Sequence, residues 1–315
     1  MTVATAIGLD VTDAIESYRR NRRLQLSTQT LDRLYIPRLS AFAAWLRAQG
    51  MPTDLRSIRR EHIEAYIEHL QTEAPGRAGT GQKPATVRIV YRVLRTFWRW
   101  CVAEEEISRS PMDRMESPKV TEEAPPIIRP EELDRLMKAA AGSSFEARRN
   151  TALIRLLADS GMRRGEVAGL LVADLDFSRD GLILLRGETS KGRRDRLVPL
   201  SRAAVAALDK YLRVRGSHPH ASTPWLWLGK RGRLTDSGVL QVVEKLGRQA
   251  GIAGLHPHVF RHTFAHNSLS AGLGEGDVMA IAGWQDRSML QRYGRSAAAE
   301  RAVAAFRRLD AGVKP

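Results

Sequence analysis

The spacing of apolar side chains predicts that the first part of the chain is helical. From Ser27 to Gly50, apolar residues recur every three or four positions, which is the period of one face of an α-helix. Ser and Thr residues at the start of this run can cap the helix, Gly50 can end it, and Pro37 predicts a kink within it. The apolar positions are Leu31, Leu34, Tyr35, Leu39, Phe42 and Leu46.

Two further amphipathic helices are predicted before residue 110. In "SIRREHIEAYIEHLQ", Ile63, Ile67 and Leu70 fall on one face. The following "EAPGRAGTGQKP" is predicted to be a loop because it is rich in glycine and proline. The next helix begins at Pro84 and has arginines at three- and four-residue steps opposite an apolar face. We call these four residues the arginine stripe: Arg88, Arg92, Arg95 and Arg99.

Proline residues mark a boundary between two domains. Five prolines, at positions 111, 118, 125, 126 and 130, interrupt any regular element in this region. We therefore expect a linker at residues 119–126, between a first domain at residues 1–118 and a second at residues 127–315. The chain of 315 residues is long enough to give both domains a hydrophobic core.

The second domain is predicted to be rich in helix, with one small antiparallel sheet. Helical periodicity is present in "RPEELDRLMKAA", in "RRNTALIRLLADSGM" and in "AAVAALDKYLRVR". Between Leu175 and Leu200, short apolar runs are separated by Asp-Gly and by "KGRRD", which is typical of a small antiparallel sheet. After a loop rich in proline and histidine, helices return as far as Arg308. The predicted fold class is therefore mainly α, with a helical N-terminal domain.

Composition excludes several classes of protein. Hydrophobic residues make up 43% of the chain and charged residues 27%, as in globular proteins and not in disordered ones. No apolar run approaches the roughly 18–20 residues needed to span a bilayer, and no signal peptide is evident. We therefore expect a cytoplasmic protein without a membrane partner. The single cysteine, Cys101, excludes an internal disulfide.

The excess of positive charge predicts a nucleic-acid partner. Fifty Lys and Arg residues stand against thirty-five Asp and Glu residues, which gives a formal net charge of +15. Such a charge attracts polyanions. It also changes the interpretation of the arginine stripe, which we expect to contact DNA phosphates and not to serve only as a solvated face.

Four separated stretches carry candidate chemistry. "SGMRRGEVAGL" places an arginine and a glutamate one helical turn apart, and "SKGRRDRLVPL" places a lysine at the tip of the predicted hairpin. "HPHVFRHTFA" places a histidine and an arginine one turn apart, and "AGWQDRSMLQRYGRS" contains a tryptophan and a later tyrosine. In chain order these residues are Arg163, Glu166, Lys191, His258, Arg261, Trp284 and Tyr293.

These residue types suit the cleavage of a phosphodiester by a tyrosine. Two guanidiniums such as Arg163 and Arg261 can each bind the phosphate through paired N–H donors while negative charge grows on its oxygens. The phenol, with a reference pKa near 10, must lose its proton, and the leaving 5′ oxygen must gain one. Lys191 can supply that proton, and His258 can assist proton movement or bind the phosphate. The indole N–H of Trp284 can donate a hydrogen bond but cannot accept a proton.

In their order along the chain, these motifs resemble those of the tyrosine recombinase family, which includes phage integrases and Xer-like site-specific recombinases. The resemblance extends from about residue 12 to about residue 310. It implies that residues 1–118 form a helical core-binding (SAM-like) DNA-binding domain and residues 127–315 an α-rich catalytic domain with a small antiparallel sheet, together a C-shaped DNA clamp. Because the chain begins almost at once with the core-binding helices, we expect no additional arm-binding domain.

The resemblance also implies a role for each motif residue. Tyr293 is the nucleophile that forms a 3′-phosphotyrosine, and the register of the first motif selects Arg163 and not Arg164 as a catalytic arginine. Glu166 occupies the supporting acidic position. The other catalytic positions are Lys191, His258, Arg261 and Trp284, the last of which is a histidine in many relatives. The remaining charges of the hairpin, typical of a solvated surface, are Glu188, Arg193, Arg194, Asp195 and Arg196.

The implied activity is site-specific DNA recombination without a cofactor or a metal ion. The implied substrate is a double-stranded DNA recombination site, cut and rejoined in the integration, excision or resolution of DNA elements. We expect a homotetramer in the synaptic complex, with the C-terminal helix docked on a neighbouring protomer and with accessory proteins as further partners. The apolar face of that helix consists of Val303, Phe306 and Leu309.

Three alternatives stay open on the sequence alone. His258, His262 and His266 recur every four residues and could line one helix face as metal ligands, although the segment has no nearby acidic or cysteine ligand and Arg261 would repel a cation. A monomeric DNA relaxase of the type IB topoisomerase kind would use the same chemistry. A catalytically silent DNA-binding module would have the same charge, but the complete set of motif residues argues against it.

Overall fold

A computed structural model of the protein describes residues 9–76, 79–120, 125–178, 181–187 and 195–287, together with residues 290, 303, 306 and 307. The contacts divide the chain into two compact units, Met1–Glu122 and Glu123–Pro315. Each unit has a hydrophobic core of its own. Among the helices of the described ranges, none combines the length and apolar character needed to cross a bilayer.

The first unit is helical, as the apolar spacing predicted. Its helices are α1 (Val11–Arg22), α2 (Thr28–Thr30), α3 (Ile36–Ala48), α4 (Arg60–Thr72) and α5 (Pro84–Ala103). The side chains of Asp10 and Ser27 cap the first two by accepting hydrogen bonds from backbone N–H groups. The core is rich in aromatic residues from α1, α3 and α5, and the rings of Tyr18 and Trp100 meet edge to face at 5.2 Å. Cys101 lies buried in this core, and burial raises the pKa of its thiol to about 12.

The first predicted helix, from Ser27 to Gly50, is distorted near Pro37 by more than a simple kink. A π-helical turn, Leu31–Tyr35, separates α2 from α3, and Pro37 lies in the first turn of α3. Proline has no N–H with which to bond the carbonyl four residues earlier. That carbonyl belongs to Arg33, and the guanidinium of Arg38 donates to it at 3.4 Å. The long helix expected from the sequence is therefore present, and a π-helical turn distorts it just before this proline.

The glycine-rich loop before α5 contains a minimal hairpin that the sequence analysis did not predict. Strands β1 (Pro75–Gly76) and β2 (Gly79–Thr80) pair antiparallel. At Gly76, a Cβ would lie 2.2 Å from the carbonyl oxygen of Gly81, so only glycine fits where the backbone passes this closely. A composition-based prediction of a loop misses such a pair because it rests on backbone approach and not on alternating side chains.

The second unit combines helices with a three-stranded antiparallel sheet. Strands β3 (Leu175–Asp176), β4 (Leu182–Leu185) and β5 (Arg196–Pro199) pair in the order β3–β4–β5, which confirms the sheet predicted from short apolar runs. A second small hairpin, β6 (Leu228–Gly229) with β7 (Gly232–Arg233), lies where only a loop was predicted. The helices are α6 (Pro130–Ala140), α7 (Phe145–Ser160), α8 (Arg164–Ala168), α9 (Arg202–Arg215), α10 (Asp236–Gln249), α11 (Pro257–Ser270) and α12 (Glu275–Ala282).

The packing of this unit brings distant motifs together. Helix α7 is the centre of the main core, packed against α6, α9 and α11. Helix α12 packs against both β5 and α11, and a smaller cluster that includes Phe264, Val278 and Trp284 fills the space beside it. As a result, the start of α8, the first residue of β5, the buried face of α11 and the end of α12 are neighbours.

Candidate active site

Arg163 lies immediately before α8 and is held on both sides of its guanidinium. Its backbone N–H donates to Oε2 of Glu166 at 2.9 Å, and its Nη1 donates to Oε1 of the same carboxylate at 3.0 Å. Its Nη2 donates to the carbonyl of Gly283 at 3.1 Å. The side chain keeps 30% of its surface exposed, so one guanidinium is both fixed by the protein and open to a ligand.

Arg164, the next residue in the sequence, forms an ion pair with a different helix. Its Nε and Nη2 form a two-pronged ion pair with the carboxylate of Asp236 in the first turn of α10, at 2.6 and 2.5 Å. The two consecutive arginines therefore have different partners: Arg164 ties α8 to α10, whereas Arg163 faces Glu166 and the end of α12.

Glu166 is a buried carboxylate shared by two arginines. Only 2% of its side chain is exposed, and Arg196 from β5 donates to it through Nη2 at 2.6 Å and through Nη1 at 3.2 Å. Burial raises the pKa of Glu166, but the hydrogen bonds and charge of Arg196, joined by those of Arg163, outweigh that effect and lower the pKa overall. Glu166 is therefore an anion at neutral pH.

Arg261 lies on the buried face of α11, with 3% of its surface exposed. Its Nη1 donates to the carbonyl of Gly161 at 2.6 Å, and its guanidinium carbon lies 4.8 Å from the ring centroid of Trp284. A cation over an indole face at this distance is stabilised by the ring quadrupole. Trp284 thus contacts Arg261 directly, and its own ring is 6% exposed within the cluster beside α12.

Two glycines with left-handed backbone supply the carbonyls that hold the arginines. Gly161 ends α7 with φ of 55°, and Gly283 ends α12 with φ of 65°. A Cβ at position 161 would lie 2.5 Å from the ring of Phe264, and one at position 283 would lie 2.7 Å from Nη1 of Arg196. Both helices end in a left-handed glycine, as helix C-termini commonly do, and here the two ends also become acceptors for the arginines.

His258 is an exposed residue in the first turn of α11, next to His256, with the two rings edge to face at 6.2 Å. Partial burial of the ring lowers the pKa of His258, and the positive charges of His256, of Arg261 and of the arginine pair at the start of α8 lower it further. The imidazole is therefore mostly neutral near pH 7.

The histidine spacing that suggested a metal site does not bring ligands together. His258 is exposed, whereas His262 and His266 are half-buried on α11. Within the described ranges, no group of three or more His, Cys, Asp or Glu side chains is placed to hold a metal ion. The three histidines of α11 are therefore not brought together as a ligand set in the described residues.

Two candidate residues, Lys191 and Tyr293, lie outside the described residues. The arginine stripe lies on α5 in the first unit, opposite nine buried side chains of the same helix. Three of its members are exposed and Arg95 is half-buried, and none of the four forms an ion pair with a carboxylate of the described residues.

Arg196 is the site residue that the sequence analysis missed. We had expected it to be one of several solvated charges of the hairpin, but 10% of its side chain is exposed and it contacts Glu166. The period-two alternation of a strand offered a signal, because Arg196 shares a face with the buried Val198. The signal was ambiguous since Leu197 on the opposite face is also apolar and is 57% exposed.

Comparison with known proteins places these features in a family. The model of the phage integrase family matches residues 126–300. The tyrosine recombinase XerD of Caulobacter vibrioides is 32% identical over 249 residues, which is 76% of this chain and 78% of XerD. The tyrosine recombinase XerC of Lacticaseibacillus casei is 29% identical over 286 residues, covering 89% of this chain and 92% of XerC.

Solved structures have the same fold. The site-specific recombinase XerH, bound to its palindromic difH substrate in a post-cleavage complex, aligns with a TM-score of 0.69 at 19% identity and covers 94% of this chain and 84% of XerH. A lambda integrase tetramer bound to a Holliday junction aligns with a TM-score of 0.70 at 16% identity, covering 91% of this chain and 78% of the integrase. At these identities the likeness shows the fold, which is mainly helical with small antiparallel sheets.

Proposed function

The chain belongs to the phage integrase family of tyrosine recombinases and is an enzyme of tyrosine-type site-specific DNA recombination, and on this basis we propose how its own residues carry out the reaction. Tyr293 attacks the scissile phosphate and forms a 3′-phosphotyrosine, which a 5′ hydroxyl later reverses. The reaction needs neither a metal ion nor a nucleotide, because the energy of the broken phosphodiester is kept in the phosphotyrosine bond.

Arg163 and Arg261 bind the phosphate and stabilise the charge that develops on its oxygens. The observation that carries this proposal is that each guanidinium is anchored from one side by a carbonyl, of Gly283 and of Gly161 respectively. Arg163 is further aligned by Glu166. Donors that are fixed before the reaction do not have to reorganise as the transition state forms, and this is the main source of their catalytic effect.

The remaining motif residues transfer protons or hold the catalytic arginines in place. Lys191 donates a proton to the leaving 5′ oxygen, and a neutral His258 assists proton movement or donates to the phosphate. Trp284 packs against the guanidinium of Arg261 and keeps that arginine in place. Glu166 is a supporting residue that acts on Arg163 and not on DNA.

DNA binding involves residues of both units. We assign residues 1–118 to a core-binding domain, 119–126 to a linker and 127–315 to the catalytic domain. Exposed arginines of the stripe on α5 contact phosphates of the duplex, and each contact adds to the salt dependence of binding. The substrate is a double-stranded recombination site used in integration, excision or resolution.

We propose that the C-terminal helix mediates assembly on DNA. Val303 and Phe306 lie in helical backbone and are 51% and 69% exposed, which leaves two apolar side chains without cover in the described part of this helix. XerH is bound to a difH substrate and lambda integrase forms a tetramer on a Holliday junction. We assign a homotetramer to the synaptic complex of this protein, with the helix docked on a neighbouring protomer.

A nicked suicide substrate tests the proposal. The wild-type protein should form a covalent protein–DNA adduct that survives denaturation, in the presence of EDTA as well as without it. Tyr293→Phe should bind the same DNA and form no adduct, because only the attacking hydroxyl is lost. An adduct with Tyr293→Phe would show that another residue is the nucleophile, and loss of the wild-type adduct in EDTA, restored by zinc or magnesium, would return the histidines to consideration as metal ligands.

A further inference from the structure

Arg196 begins strand β5 and has all of its donor nitrogens directed into the protein. Its Nε donates to the carbonyl of Ile281 at 3.0 Å, and its Nη1 and Nη2 donate to the two oxygens of Glu166 at 3.2 and 2.6 Å. The Ile281 carbonyl belongs to the last turn of α12, where backbone acceptors have no partner within the helix. Because Nε, Nη1 and Nη2 all donate to acceptors of the protein, we expect this arginine to organise the protein and not to bind DNA.

The carboxylate that Arg196 grips is the one that orients Arg163. Glu166 accepts from the backbone and from Nη1 of Arg163 while it accepts from Arg196. A carboxylate that is 2% exposed needs a positive partner to remain ionised and hydrogen bonds to keep its orientation. Arg196 is the more deeply buried of the two arginines and has the shorter contact with Glu166. We therefore expect Arg196 to fix the orientation of the carboxylate that accepts from Arg163.

Arg196 also contacts the second anchor of Arg163. The other end of the Arg163 guanidinium donates to the carbonyl of Gly283. Gly283 packs so closely on Arg196 that a Cβ would lie 2.7 Å from Nη1 and 2.8 Å from the guanidinium carbon. Both acceptors of the Arg163 side chain, on α8 and after α12, therefore touch the same buried arginine from β5.

We propose that Arg196 is a positioning residue of the recombination reaction, which acts through Glu166 to hold the Arg163 guanidinium in its productive orientation. This inference rests on the proposed role of Arg163 in binding the scissile phosphate. In the described residues, the donor nitrogens of Arg196 are bonded to Ile281 and Glu166, so its effect passes through the protein. Its loss should slow the chemical step and leave affinity for DNA intact, because the groups that contact DNA are still present.

The first measurement separates the cleavage rate from DNA affinity. Single-turnover cleavage of a nicked suicide substrate and equilibrium binding of the same duplex are measured for wild type, Arg196→Met and Arg196→Lys. We expect cleavage by Arg196→Met to fall about 100-fold, as for a small misplacement of a catalytic group, with DNA affinity within about twofold of wild type. Arg196→Lys should recover part of the rate, because it restores the charge beside Glu166 but not the fork.

A double-mutant cycle tests whether the effect passes through Glu166. In a Glu166→Gln background the carboxylate that Arg196 grips is gone, so adding Arg196→Met should slow cleavage by no more than about twofold. In the double variant neither Glu166 nor Arg196 is left as an unpaired buried charge, so misfolding is not expected to cause its loss of activity. Thermal unfolding is recorded for each variant to check this. A merely structural role for Arg196 would instead make the two losses multiply.

Arg186→Met serves as a matched control. Arg186 follows β4 of the same sheet and donates through Nε at 3.1 Å to Asp174, a carboxylate that is also buried and also accepts from a backbone N–H. Among the contacts of the described residues, neither Arg186 nor Asp174 meets Arg163 or Glu166, so Arg186→Met should cleave at the wild-type rate within about twofold.

The inference fails if Arg196→Met cleaves like wild type, if its effect multiplies with that of Glu166→Gln, or if Arg186→Met is slowed equally. The proposed function fails differently, by the absence of an adduct with the wild-type protein. An active wild type beside an unaffected Arg196→Met would thus remove the role of Arg196 alone.

Discussion

Gly161→Ala should damage the protein in two measurable ways. The residue has φ of 55° at the end of α7, and an added Cβ would lie 2.5 Å from Cδ1, 2.9 Å from Cγ and 3.1 Å from Cβ of Phe264. Phe264 is 8% exposed and packed within α11, so its ring cannot swing aside into solvent. The carbonyl of Gly161 would move with the backbone, and with it the acceptor of Arg261.

The magnitude follows from two separate costs. A left-handed conformation costs an alanine about 1 kcal/mol more than a glycine, and forcing a methyl group into a packed contact costs about 1–3 kcal/mol. We therefore expect Gly161→Ala to lower the free energy of unfolding by about 2–4 kcal/mol. Gly251→Ala isolates the first cost, since Gly251 has φ of 69° and nothing within 4 Å of its Cβ position. That control should lose about 1 kcal/mol.

Urea unfolding and suicide-substrate cleavage, measured on both variants, provide the test. Cleavage by Gly161→Ala should fall about 100-fold at a temperature where the variant is folded, because Arg261 loses its fixed acceptor. Gly251→Ala should cleave as wild type does. Equal losses of stability in the two variants would refute the packing argument, and a destabilised Gly161→Ala that still cleaves normally would show that the anchoring of Arg261 is dispensable.

Three further predictions concern the site itself. Replacing Arg163 or Arg261 with lysine should slow cleavage about 100- to 1,000-fold, because lysine lacks the paired donors of arginine. As a control, Arg164→Lys should leave the rate near wild type, because the native partner of Arg164 is Asp236. An equal loss in all three variants would contradict the assignment of Arg163 and Arg261 as the arginines that bind the phosphate. For Trp284, we expect cleavage to fall in the order wild type, His, Phe, Ala, and the alanine variant to lose about 3–5 kcal/mol of stability; an alanine variant as active as wild type would place the tryptophan outside the site. Glu166 has a lowered pKa in the folded state, so its contribution to stability is complete above the unfolded pKa of about 4.3 and is lost as the pH falls through the lower folded value. Urea unfolding followed from about pH 6 to about pH 3 should therefore show a steeper acid loss in wild type than in Glu166→Gln, and parallel curves would argue against an ionised Glu166.

The sequence by itself determined the family, the helices of the first unit from residue 27 onward and the small sheet of the second. It did so because these features are local or ordered along the chain. Apolar spacing reports which face of a helix is buried, as for Ile63, Ile67 and Leu70 on α4. The motif order from Arg163 to Tyr293 carries the chemistry without any knowledge of packing, although the roles of Lys191 and Tyr293 stay predictions.

Only the tertiary structure decided how the catalytic arginines are held. The partners of the Arg163 guanidinium lie 3 and 120 residues away in the chain, one acceptor of Arg261 lies 100 away, and those of Arg196 lie 30 and 85 away. No periodicity connects positions so distant, and a charged residue has the same appearance in sequence whether it is solvated or buried against a carboxylate. The sequence also cannot indicate that the backbone carbonyls of Gly161 and Gly283 accept from these arginines, since every residue has a carbonyl and only the fold determines its direction. The identity of the side chains therefore indicates the chemistry. The orientation of the arginines depends on carbonyl and carboxylate acceptors that come together only when the helices and the sheet pack.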